Sequence, residues 1–67
     1  MINHIAHNLK LLRNKHGLSV EKVANDIFVS RQTMTKWESG ETTPDIDSAI
    51  ALADYYTVPL EFLVGFP

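Results

Sequence analysis

Apolar residues recur every three or four positions along this chain, and polar punctuation divides them into five runs. Ile5, Ala6, Leu9 and Leu12 form the first stripe and predict a helix from about Asn3 to His16, with Asn3 as its N-cap. Leu11 falls off that stripe and is expected to be partly exposed. Gly17 then supplies a left-handed stop, and Leu18 an apolar residue to fold back. Ser19 is a second N-cap, opening a helix from Val20 to about Ile27 with Val23, Ala24 and Ile27 turned inward. Ala24 is small enough to let another helix approach closely, and Glu21 complements the dipole at the helix start. Phe28 and Val29 leave only a short connection to the next run, so the two helices must cross steeply.

That next run, Ser30 to Gly40, carries start and stop signals at both ends: Ser30 as N-cap and Gly40 as the left-handed residue beyond the last turn. Val29, Thr33, Met34 and Trp37 share one face; Arg31, Gln32, Thr35 and Lys36 share the other. Glu41 to Pro44 reads as a loop, with Pro44 unable to continue the helix. Asp45 is the N-cap of a fourth helix ending near Tyr56, with Ile46, Ala49, Ile50 and Ala53 as its expected buried stripe and Leu52 and Tyr56 beside it. Thr57-Val58-Pro59 breaks the chain, Leu60 to Val64 forms a short last helix, and Gly65 ends it. With no strand pattern or internal repeat, five helices on short connections predict an all-α, compact single domain over residues 1–67.

The polar face of the third helix carries the clearest chemistry. Arg31 can present a two-pronged guanidinium to guanine, and Gln32 a bidentate amide to adenine. Thr35 suits a thymine methyl, and Lys36 suits a base or a phosphate. Met34 and Trp37 belong to the core rather than to a stacking platform. These four polar side chains on a short capped helix predict a helix that enters the DNA major groove.

Net charge is −2, which at first argues against a nucleic-acid partner, but its distribution reverses the argument. Residues 1–36 hold all six Lys and Arg against Glu21 and Asp26, for +4; residues 37–67 hold six carboxylates and no Lys or Arg, for −6. A chain with two such ends has one side suited to a polyanion and another turned away from it. There is no Cys, hence no disulfide and no thiolate metal site. The apolar runs are far shorter than the ~20 residues of a membrane span. The first residues lack a signal-peptide plan, so a cytoplasmic setting is expected.

Taken together, Leu9…Leu12-Arg13, Gly17-Leu18-Ser19, Val23-Ala24…Ile27, the stretch Val29 to Gly40, Pro44-Asp45-Ile46, Leu52-Ala53 and Pro59 to Leu63 resemble the Cro/repressor-type (Xre-type, lambda-repressor-like) helix-turn-helix family. The resemblance covers nearly the whole chain and is most specific over Val29 to Gly40. It implies a five-helix lambda-repressor-like domain with the helix-turn-helix at 20–39. It also implies a dimeric regulator, expected to be a repressor, reading two half-sites of a palindromic operator in double-stranded DNA. Arg31, Gln32, Thr35 and Lys36 match the family's base-reading positions; Ser19, Val20 and Lys22 match its backbone-contacting start of helix two; Ser39, Thr42 and Thr43 match a second phosphate-facing region. Lys10 is a further expected phosphate contact. Arg13 and Glu38 match a pair that forms an ion pair in relatives. The chain departs from the family pattern twice. Phe28 stands where Gly is common, so a positive φ there costs about 1–3 kcal/mol unless packing offsets it. Val20 stands where a polar side chain often grips phosphate, leaving only its backbone N–H.

Leu60, Phe62 and Phe66 are more apolar surface than so small a domain readily hides, and they are the expected dimer face; in relatives the last helix supplies such contacts. The alternative reading is an antitoxin-like or adaptor module that uses the same fold to bind a protein. His4 and His7 stand three apart with no third ligand in view, so no metal or other cofactor is expected. No catalytic constellation, phosphate loop or carboxylate cluster supports an enzyme or a small-molecule substrate.

Overall fold

The computed structural model describes residues 4–65, and among them every regular element is helical. α1 spans Ile5–Lys15, α2 Val20–Asp26, α3 Arg31–Ser39, α4 Ile46–Tyr56 and α5 Leu60–Val64. Asn3, the expected first cap, and Phe66 lie outside the described residues.

Three helices start on side-chain caps of one design. Ser19 Oγ accepts from Lys22 N–H, Ser30 Oγ from Thr33 N–H, and Asp45 from Ser48 N–H. Each satisfies a first-turn donor that the helix itself leaves open. Four helices also stop alike. The residue past the end takes a left-handed conformation at Gly17 (φ 68°), Phe28 (φ 63°), Gly40 (φ 82°) and Thr57 (φ 58°). Each such turn closes with two backbone bonds, for example Leu18 N–H to Arg13 C=O (3.1 Å) and Gly17 N–H to Asn14 C=O (3.0 Å). At three of the four, the following residue (Leu18, Val29 or Val58) folds back onto the core. At the fourth it is Glu41, which is exposed.

The core collects Leu9 and Leu12 from α1, Val23 and Ala24 from α2, Met34 and Trp37 from α3, Leu52 and Tyr56 from α4, and Leu63 from α5. α1 packs against α3 and α5, α2 crosses α3, and α4 lies against α5. Full burial of Ala24 fits the close approach its size allows.

The structure corrects one expectation, on α4, and sharpens two others. Ile46 and Ile50 are 63% and 52% exposed, so they do not form α4's inner stripe. That stripe is Ala49, Leu52, Ala53 and Tyr56, spaced i, i+3, i+4, i+7; the bulk of Leu52 and Tyr56 sets the rotation of the helix. α2 ends one residue early, with half-buried Ile27 as its C-cap. Phe28 keeps its positive φ yet is 93% exposed, so packing does not offset its strain.

Asn8 is the polar residue that the apolar pattern passed over. It is fully buried on α1's inner face, between Ile5 and Leu12. Its Nδ2 donates to the carbonyls of Phe62 (3.0 Å), Leu63 (3.0 Å) and Gly65 (3.1 Å), tying α1 to the end of α5. Those carbonyls are the ones a helix C-terminus leaves open.

A candidate DNA-binding face on α3

α3 is held from behind and exposed in front. Met34 and Trp37 anchor it in the core, while Arg31, Gln32, Thr35 and Lys36 are all exposed. These four and Glu41 line one shallow, open hollow. The helix therefore brings together the two cations, the amide and the hydroxyl that the sequence assigned to base reading. It adds a carboxylate that the sequence left in a loop.

A second hollow lies beside it, lined by Lys10, Arg13, Val20, Thr35, Glu38 and Ser39. Thr35 borders both hollows. Three expected phosphate contacts, Lys10, Val20 and Ser39, thus meet next to the polar face of α3. The others stand apart from this hollow. Lys22 is exposed and reaches back to Asp26 at 3.3 Å, whose carboxylate also accepts from Tyr55 Oη at 2.7 Å. Thr42 and Thr43 are exposed in the loop after α3. Ser19 Oγ already caps α2. Ser39 Oγ donates to Lys36 C=O at 3.0 Å and accepts from Glu41 N–H at 3.3 Å, so it shapes the turn as well as facing the hollow.

The angle of α3 is fixed by Arg13. Its Nε and Nη2 donate to the two carboxylate oxygens of Glu38 at 2.7 and 3.0 Å, and its Nη1 donates to Leu18 C=O at 2.8 Å. One guanidinium thereby joins α1, the α1–α2 connection and the last turn of α3. The two side chains retain 13% and 8% exposure, so water screens the pair weakly. The hydrogen bonds that Arg13 donates to the Glu38 carboxylate are the main influence raising the Arg13 pKa above its ordinary value.

Of the expected dimer residues, Leu60 and Phe62 are half-buried and packed against the core, and they retain some outward surface. His4 is half-buried; His7 and His16 are exposed, and the His16 ring rests on Tyr56 with centroids 5.4 Å apart. Among the described residues no three His, Cys, Asp or Glu side chains are grouped to hold a metal, and no helix is long and apolar enough to cross a membrane.

Residues 9–63 match the sequence profile of the helix-turn-helix family. The chain belongs to that family, in its Cro/repressor-type branch. A helix-turn-helix transcriptional activator, BcrR of Enterococcus faecalis, is 32% identical over 57 residues, which are 85% of this chain and 28% of BcrR. The cryptic phage CTXphi transcriptional repressor RstR of Vibrio cholerae is 38% identical over 54 residues, 81% of this chain and 49% of RstR. A crystal structure of a transcriptional regulator from Listeria innocua superposes over the whole chain and 63% of its own, with a TM-score of 0.92 and 36% identity. The chain therefore spans half or less of these two curated relatives. The helix-turn-helix itself is α2, the turn at Phe28 and Val29, and α3.

Glu41 is the residue that sequence reasoning missed at the site. Glu41 was detectable only by following the left-handed turn at Gly40, which folds the chain back beside Lys36.

Proposed function

We propose that this chain binds double-stranded DNA sequence-specifically, as a dimeric transcriptional regulator that represses by occupying a palindromic operator. The observation that carries the reading is the exposed face of α3. Four hydrogen-bonding side chains of the types suited to base edges line one hollow, on a helix capped at its start and anchored by Met34 and Trp37. Arg31 reads guanine and Gln32 adenine; Thr35 touches a thymine methyl, and Lys36 a base or a neighbouring phosphate. Lys10, Lys22, Ser19, the backbone N–H of Val20, Ser39, Thr42 and Thr43 hold the phosphate backbone and set register. Leu60 and Phe62 on α5, with Phe66 beyond it, join two copies so that two recognition helices reach half-sites about one helical turn apart. The setting is cytoplasmic, where such an operator would lie.

One similar protein is named an activator and another a repressor, so the sign of regulation needs its own support. Repression requires only occupancy of the operator, and the similarity to RstR favours it. The test is selection from a random duplex pool, followed by titration of the enriched site. Arg31→Ala should relax preference at one position per half-site, whereas Lys22→Ala should weaken all sequences alike. Equal loss on every sequence for Arg31→Ala would remove its assigned role. A reporter under the enriched site then reads the direction of regulation.

A further inference from the structure

The hollow on α3 contains one residue of the wrong sign for DNA. Glu41 lies with Arg31, Gln32, Thr35 and Lys36, and its Oε2 is 3.9 Å from Lys36 Nζ. Its backbone is held firmly: Glu41 N–H donates to Lys36 C=O at 3.0 Å and to Ser39 Oγ at 3.3 Å, just past the left-handed Gly40. The three other left-handed turns place an apolar residue here that folds onto the core; this one places a carboxylate on the polar face.

The ion pair does little for folding. Lys36 and Glu41 keep 53% and 65% exposure, and pairs so exposed contribute little to stability. Its consequence is for whatever polyanion approaches. A carboxylate beside Lys36 weakens that cation's attraction for phosphate, and it repels any phosphate that arrives without a compensating contact. Only a duplex whose base edges satisfy Arg31 and Gln32 offsets that repulsion. A base amine, on cytosine N4 or adenine N6, can in addition donate to the carboxylate itself.

We propose that Glu41 is a specificity-determining residue, which suppresses sequence-independent binding through Lys36 and so widens the gap between the correct site and all others. This rests on the DNA-binding reading above. Discrimination built from a repulsive element is a general route to specificity.

The experiment measures binding of wild type, Glu41→Gln, Lys36→Met and the double variant to the selected duplex and to a scrambled duplex, each over a range of salt. Asp54→Asn, an exposed carboxylate on α4 that lines neither hollow, controls for net charge. Thermal melts establish that each variant is folded. Glu41→Gln should tighten scrambled-duplex binding by about three- to ten-fold and steepen its log–log salt slope by about 0.9, one phosphate more. The selected duplex should gain less, so the ratio between the two falls. The gain should vanish in the Lys36→Met background. If wild type discriminates normally while Glu41→Gln matches it, matches Asp54→Asn, or keeps its gain without Lys36, the role of Glu41 is overturned and the DNA reading stands. If wild type binds no duplex at low salt, both fall together.

Discussion

Phe28 shows most plainly what a single residue costs this fold. A side chain at φ 63° crowds its own backbone, and the ring recovers nothing because it is 93% exposed. Replacing Phe28 by Gly should therefore stabilise the protein, by roughly 1 kcal/mol, read as a raised midpoint in thermal or urea melts. A loss would mean that the ring packs against something in solution. Thr57, β-branched at φ 58°, should respond in the same direction to Thr57→Gly. The sequence could pose the problem at Phe28 but not solve it, because periodicity says where a turn must fall and not whether a neighbour covers the ring. Asn8 failed for a related reason: a polar residue on an apolar face looks like an interruption until the carbonyls it serves, 54 to 57 residues later, are in place.

At the scale of elements, local signals were enough for all five helices. Ser19, Ser30 and Asp45 as caps and Gly17 and Gly40 as stops located most of the ends to within a residue. Rotation of a helix about its own axis was less legible. On α4 two apolar stripes compete, one through Ile46 and Ile50 and one through Leu52 and Tyr56, and only packing against the rest of the chain chooses between them. The orientation of α3 rests on a pair of side chains that no local rule joins, Arg13 and Glu38, 25 residues apart. Glu38→Ala leaves a guanidinium with little exposure and, among the described residues, only Leu18 C=O as partner, and should cost about 3 kcal/mol. The double variant Arg13→Ala/Glu38→Ala should cost less than the sum of the two single changes, as denaturant titration would read. Additive losses would mean that the two side chains act independently. Two carboxylates at element ends give the stability a pH signature. The Tyr55 hydrogen bond, first among its influences, lowers the Asp26 pKa, and the hydrogen bond with Ser48 lowers that of Asp45. Because both are depressed in the folded state, their contribution is complete above the unfolded value of about 4 and is lost as pH falls through the folded values. Melting midpoints taken from pH 6 down to pH 2 should fall below about pH 4, and less steeply for Asp26→Asn. An unchanged slope in that variant would remove Asp26 from the account.

For the molecule as a whole, the net charge misleads and the arrangement informs. An overall −2 conceals six cations in the first 36 residues, and the fold gathers Arg31 and Lys36 on one exposed helical face with Lys10 in the adjoining hollow. That much was visible as a split between the two ends of the chain. The carboxylate of Glu41 inside the same hollow was not, because only the turn after α3 brings it there. The central claim is that this face reads double-stranded DNA by sequence, and the direct measurement is the affinity of purified protein for its selected duplex and for a scrambled one across a salt series. The account requires tight binding to the selected duplex, much weaker binding to the scrambled one, and a steep loss of both with salt, with Arg31→Ala narrowing the difference. Equal affinity for the two duplexes, or binding that ignores salt, would contradict it.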